Sequence, residues 1–244
     1  MIRVAAAVAA LFLLAARTAS ASPIQVLTNG NFETGTFAGW TVNDQGGGNF
    51  LIDTPGTTTP ISSHPTVGSA ANGSFYAVSD QPAAGVHALR QTFTVAPGTV
   101  GAILAFDMFV NDWDAGPIVN PAGLTTGAGP NQHARVDILT AAAGAFDTGA
   151  TVLGNFYLGV DGGVDPHAFT HYSFNITSIV GGGGTFQLRF AEVDNQFFLN
   201  QGVDNVSITA DADADAVPEP GTLVLLGTSL AGVGLRRWRQ RRRS

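Results

Sequence analysis

An all-β fold, an antiparallel β-sandwich, is what this sequence predicts. Apolar residues recur at every second position in several separate runs, Gly- and Pro-rich clusters punctuate those runs, and the middle of the chain shows no helical periodicity. In the first run, Leu89, Phe93 and Val95 share one face and Arg90, Thr92 and Thr94 the other. In the next, Gly101 to Val110, the residues Leu104, Phe106, Met108 and Val110 make a wholly apolar face. Tyr172, Phe174 and Ile176 alternate with His171, Ser173 and Asn175, and Phe186, Leu188 and Phe190 with Thr185, Gln187 and Arg189. Turn signals stand at Ala96-Pro97-Gly98, at Asp161-Gly162-Gly163 and at Gly181 to Gly184, the last expected to be a hairpin connection into Thr185. The stretches Asp53 to Ser74 and Gly116 to Asn131 read as extended surface loops.

The two ends follow other rules. Arg3 precedes an apolar run from Val4 to Ala16, and Arg17 then leads to Ala19-Ser20-Ala21, the small-x-small form of a signal-peptidase site, with cleavage expected after Ala21. Those 13 apolar residues rise only about 20 Å as a helix, short of the roughly 30 Å hydrocarbon core. At the other end, Val217-Pro218-Glu219-Pro220-Gly221 precedes an apolar run from Thr222 to Leu235 and then Arg236, Arg237, Arg239, Arg241, Arg242 and Arg243. Six arginines cross a bilayer only at high cost and are expected to hold this end on the cytoplasmic side. That order of elements resembles the PEP-CTERM sorting tail of exported bacterial proteins; the bland alternative is a plain C-terminal tail anchor. The resemblance implies transient anchoring in the inner membrane and cutting by exosortase near Pro218, Glu219 and Pro220. The protein would then pass to the periplasm, the cell surface or an exopolysaccharide matrix. The chain is thus expected to comprise a signal peptide (1–21), the β-sandwich (22–210), an acidic linker (211–216) and the sorting signal (217–244). A signal-peptide helix and a short hydrophobic transmembrane helix would flank the sandwich.

Residues 22–216 suit one domain, and their only basic side chains are Arg90, Arg135 and Arg189, against 17 carboxylates, a formal charge of −14. So acidic a surface repels phosphate backbones, which excludes nucleic acid as a natural partner, and it attracts divalent cations. The chain has no cysteine, so no disulfide staples the fold. Asp211, Asp213 and Asp215 start like a calcium loop, but Ala216 stands where such a loop needs glycine and Thr222 where it needs glutamate, so a solvated spacer is the better reading.

The exported part opens Leu27-Thr28-Asn29-Gly30-Asn31-Phe32-Glu33, continues to Gly39-Trp40, and closes Gly202-Val203-Asp204-Asn205-Val206-Ser207-Ile208. These edges resemble the galactose-binding-like jelly rolls that include many carbohydrate-binding modules. The resemblance implies a jelly roll whose first and last strands lie side by side. It also implies a structural Ca2+ held by Glu33 and Asp204, with carbonyls near Asn31 and in the loops around Asp44 to Phe50 or Tyr76 to Asp80. Alternation independently puts Asp204 on the core side with Val206 and Ile208, where an ionised carboxylate needs a metal, a turn to cap or an arginine.

A sugar site pairs an aromatic platform with planar polar groups. Trp113, between Asp112 and Asp114, is the best candidate platform, followed by Tyr76, Tyr157 and Phe197 or Phe198; Trp40 is assigned to the core. Glu192 and Asp194 follow Phe190 on the same alternating face, either as sugar-bonding groups at a strand end or as solvated acids where the strand leaves the core. His167 and His171 would chelate a metal on a helix, but on a strand four residues span about 13 Å and one ion cannot join them. No nucleophile elbow, zinc helix or phosphate loop occurs, so no catalytic residue is assigned. The expected function is weak carbohydrate binding by an exported surface or matrix protein. A structural adhesion protein and, further off, a glycan hydrolase are the alternatives.

Overall fold

The computed structural model describes residues 22–67, 73–113, 123–127 and 129–211, so the signal-peptide reading (1–21) and the linker and sorting-tail readings beyond Asp211 lie outside the described residues. Residues Ser22–Ala212 form one compact unit. Its strands are β1 (Ile24–Gln25), β2 (Thr41–Gly46), β3 (Asn49–Asp53), β4 (Tyr76–Asp80), β5 (Gly85–Val95), β6 (Gly101–Asp112), β7 (Gln132–Thr140), β8 (Val152–Gly159), β9 (Thr170–Asn175), β10 (Gly184–Asp194) and β11 (Leu199–Asp211). A single turn of helix, α1 (Thr177–Val180), precedes β10. The strands form two antiparallel sheets: β3-β4-β11-β6-β9, with β1 also on β11, and β2-β5-β10-β7-β8. The first and last strands do lie side by side, Ile24 opposite Ala210.

The apolar faces read from the alternation are the ones that meet. Leu104, Phe106, Met108 and Val110 of β6 are fully buried with Leu89 and Phe93 of β5, Val136 and Ile138 of β7, and Leu188 and Phe190 of β10. Phe106 joins the two layers, edge-on to Phe190 at 5.3 Å and stacked on Tyr172 at 5.1 Å. Truncating such a ring costs about 3–5 kcal/mol in lost transfer energy and cavity. Trp40 belongs to the same core, packed on Phe32 and Phe190 with its indole N–H donated to the Asn29 carbonyl.

Three local features depart from the sequence pattern or go beyond it. The glycine run 181–184 is not a hairpin, because β9 and β10 lie in different sheets; it closes α1 and carries the chain across the sandwich. Gly181 N–H bonds the Thr177 carbonyl, and Gly183 sits at φ 78 where a Cβ would lie 2.5 Å from the Pro97 nitrogen.

The second concerns the polar faces of β5 and β10, which the alternation left unassigned and which are not simply solvated. Arg90, Arg135 and Arg189, all the arginines of this unit, stand on the outer face of their sheet; Arg90 and Arg189 bond carbonyls of the segment 141–147, and Arg135 bonds Asp137. Beside them Leu124, Ala145 and Phe146 pack on Val86, Ala88, Ala191 and Val193. Covered on both faces, β10 stays buried to its end.

Third, β11 carries a bulge between Asp204 and Ser207. Val203 pairs with the core residue Met108, and Asp204 pairs with Asp107, so the bulge moves Asp204 to the outer face although Val206 and Ile208 point inward.

Candidate functional site

Asp204 sits at the bulge, where the charge of Glu33 reaches it. β1 and β4 share one edge of β11, and the opening loop fills the gap between them. That loop is docked by the Val206 N–H on the Gly30 carbonyl at 2.8 Å, so closely that a Cβ on Gly30 would lie 1.9 Å from the Val206 oxygen. Asp204 is only 1% exposed, and one of its oxygens accepts the Asn205 N–H at 2.7 Å. Burial pushes its carboxyl up to about 7; the Asn205 N–H opposes this, and the charges of Asp107 and Glu33 add to it.

Across the ladder, Asp107 takes the Asn205 side-chain N–H at 2.8 Å and binds His171 Nδ1 at 2.7 Å. Glu33 is exposed, and its Oε1 accepts the N–H groups of Ser74 and Phe75, tying the opening loop to the start of β4. Next to this group lies a cleft of about 310 Å³ whose walls include Gln25, Leu27, Asn29, Asn31, Asn205 and Val206. Among the described residues, no three His, Asp or Glu side chains are grouped as metal ligands.

Trp113 stands at the other candidate site. Its ring stacks on His64 with centroids 4.6 Å apart and planes 24° from parallel, Phe198 packs on the same imidazole, and the indole N–H is donated to Asn200 at 2.8 Å. The indole is therefore half-buried and locked in one orientation. Asp112 accepts from Gln132 at 2.6 Å, and its N–H reaches Asp165. Asp114 lies outside the described residues. Of the other aromatics, Tyr76 is buried against Phe109 and Phe169, Tyr157 donates its hydroxyl to Asp161, and Phe197 is 61% exposed.

Glu192 and Asp194 are neither at an open strand end nor solvated: both are fully buried between the sheets. Neither Glu192 oxygen has a hydrogen bond of good geometry. Burial drives its carboxyl well above the usual range, helped by the charge of Asp194 and, more weakly, by Asp80 and Asp44, while the Ser79 hydroxyl opposes the rise. His87 bonds Asp44 at 2.7 Å through Nδ1 and approaches Glu192 to 3.8 Å through Nε2. Asp194 accepts from Gln81 and from the Gln196 N–H.

Sequence reasoning did not single out His87, although it lies in phase with Leu89 and Phe93 on the inward face. Nor did it find Asp107, whose pairing with Asp204 is a matter of register between distant strands. His167 and His171 bind different partners, Asp165 and Asp107.

Among the described residues, no helix is long and apolar enough to cross a membrane. No curated protein matches the chain. Solved structures that resemble it include TmCBM61 in complex with β-1,4-galactotriose, at TM-score 0.44 and 11% identity over 76% of this chain and 97% of that one. The Stig cyclase Fisc from Fischerella sp. TAU resembles it at TM-score 0.46 and 16% identity, over 79% of this chain and all of that one. The enzymatically active domain of bacteriophage CBA120 tailspike protein 4 resembles it at TM-score 0.44 and 14% identity over 76% of this chain. The chain spans only 21% of that tailspike's length. At the C-terminus, residues 216–242 match the PEP-CTERM protein-sorting motif, so the tail read from its Pro-Glu-Pro, apolar and arginine segments is a PEP-CTERM sorting signal.

Proposed function

We propose that the protein is a non-catalytic carbohydrate-binding β-sandwich of the cell surface or its exopolysaccharide matrix, binding weakly at the Trp113 end. The sorting motif marks the chain for export, transient membrane anchoring and processing by exosortase. Signal peptidase acting after Ala21 belongs to the same reading. The observation that carries the binding reading is the fixed indole: stacked on His64 and bonded to Asn200, Trp113 is held beside Asp112 as a half-exposed ring flanked by polar groups. A ring already immobilised loses little side-chain entropy when a pyranose face packs on it. One such platform gives weak affinity. A glycan array with the wild type and Trp113→Ala tests this. Binding to a polysaccharide that is lost in the variant, with the melting temperature kept, supports the reading; silence of the wild type across the array, or equal binding by the variant, removes it.

Calcium is the second part of the proposal. Asp204 is a buried carboxylate that feels the charges of Asp107, opposite it on β6, and of Glu33, and one divalent cation there would neutralise repulsion that protonation otherwise relieves. Glu33 and Asp204 would hold it. With no three acidic side chains grouped as ligands among the described residues, the remaining ligands would be carbonyl, carboxamide and water oxygens, which suit calcium's flexible coordination. The ion would supply a clasp between the opening loop and the last strand. Adding calcium should raise the melting temperature of the wild type and leave that of Asp204→Ala nearly unchanged; equal behaviour of the two proteins rules the clasp out.

A further inference from the structure

The cleft beside the bulge has a chemistry separate from both the acids next to it and the Trp113 end. Four of its lining residues are carboxamides, Gln25, Asn29, Asn31 and Asn205, and none is charged. Each carboxamide is anchored by the protein. Gln25 Oε1 accepts the N–H groups of Leu27 and Ile208. Asn29 is held at both ends, donating to the Thr36 carbonyl and accepting from the Thr34 hydroxyl. Asn31 Oδ1 accepts the Glu33 N–H, and Asn205 Nδ2 donates to Asp107. Three ends remain without a hydrogen-bonding partner among the described residues: the amide N–H groups of Gln25 and Asn31 and the carbonyl of Asn205. Two donors and one acceptor are thus presented on planes already fixed from behind.

The backbone points the same way. Of the four non-glycine residues at positive φ among the described residues, two line this cleft, Asn29 at 50° and Asn205 at 50°, and Phe32 at 53° follows the lining residue Asn31 in the chain. A bulky residue such as Phe32 pays steric strain there, and strain of this kind gathers at ligand clamps. Phe32 is held in place by full burial against Phe37 and Trp40, so the core supports the shape of the loop.

We propose that this cleft is a second binding site, distinct from the Trp113 end, for a neutral polyhydroxylated ligand, a sugar unit of an uncharged polysaccharide. A hydroxyl both donates and accepts, so neighbouring hydroxyls on one ring match a fixed set of amide N–H and carbonyl groups. Leu27 and Val206 supply the apolar wall that a pyranose C–H face covers. Asp107, which holds the Asn205 amide, and the formal charge of −14 on residues 22–216 disfavour uronic acids and other anionic sugars.

Isosteric changes test the free donors without disturbing their anchors. Gln25→Glu and Asn31→Asp keep the oxygen that accepts from the backbone and replace only the free NH₂ by an acceptor. The full chain, purified in a polyoxyethylene detergent that carries no sugar, is run by affinity electrophoresis through gels containing galactan, β-glucan, dextran or polygalacturonate. Retardation by at least one neutral polymer and not by polygalacturonate is expected. It should fall at least tenfold in the Gln25→Glu/Asn31→Asp double variant at unchanged melting temperature. No retardation in any neutral gel, equal retardation by polygalacturonate, or undiminished retardation of the double variant overturns the proposal. Loss in Trp113→Ala with retention in the double variant also overturns it, while leaving the Trp113 reading standing. Should the double variant melt early, Asn31→Asp alone, at an exposed position, decides the matter by the same measure.

Discussion

Removing the Asp137 carboxylate should unfold this protein more effectively than any change on its acidic surface. Asp137 of β7 is fully buried on the outer face of its sheet. It accepts from Arg135 Nε at 2.7 Å and Nη2 at 2.8 Å, from both Nε and Nη2 of Arg189, and from Asn155 at 2.8 Å. Burial alone would raise its carboxyl, but the Arg135 hydrogen bond and the charges of Arg189 and Arg135 hold it below the usual range. Arg189, itself fully buried, uses its third nitrogen on the carbonyls of Ala145 and Asp147.

In Asp137→Ala two buried guanidinium groups face one another with no counter-charge, and breaking a buried pair in this way costs about 3–5 kcal/mol. For a domain of this size that is about 6–20 °C in melting temperature. Circular-dichroism melts and urea unfolding of both proteins measure it. The carboxyl is depressed in the fold, so its contribution is present above the unfolded value and lost as pH falls through the folded one; the gap between the two proteins should therefore shrink in acid. A loss below about 1 kcal/mol at neutral pH would mean that the arginines relax into water, and the account of the 141–147 cover would be wrong.

Other consequences are open to measurement. Because burial raises the Glu192 carboxyl well above its ordinary 4.5, its contribution is complete below that value and lost as pH rises through the folded one. Urea melts from pH 4.5 to 8 should show a decline in the wild type that Glu192→Gln flattens, and an equal slope in both would refute the assignment. Gly30→Ala should cost about 1–3 kcal/mol, because its methyl meets the Val206 carbonyl and the opening loop must shift; thermal melts that superimpose would show that the loop is not docked. Replacing Pro218, Glu219 and Pro220 together by alanine should leave the chain membrane-bound with an uncut tail, seen as slower gel migration in the membrane fraction. Normal release would remove the sorting motif from its role.

Period-two alternation made the inner faces of β5, β6 and β10 readable, because an antiparallel strand with one face on a core must place apolar side chains at every second position. The same logic failed where its assumption of one buried face failed. Arg90 and Arg189 read only as lying on the face away from the apolar one, because the pattern carries no sign of the segment that folds back over them, and Glu192 and Asp194 read as sugar-bonding groups at a strand end or as solvated acids, because the polarity of a residue does not say where burial stops. Asp204 was flagged correctly as a carboxylate in need of a partner and assigned to the wrong face, since one extra residue in a bulge inverts the alternation and leaves no mark in the pattern. The carboxamide cleft was invisible for a related reason: Gln25, Asn31 and Asn205 are unremarkable singly, and they converge only when β1 and the opening loop dock against the last strand.

The sequence by itself determined the sorting signal, the two-sheet class and the inward aromatic set, all of which depend on order and spacing along the chain. The tertiary structure alone decided which acids are buried, which arginines hold the outer cover, and which amides share a cleft. Those properties depend on contacts between segments far apart in sequence, where the environment supplied by the rest of the fold sets both the charge state and the reach of each side chain.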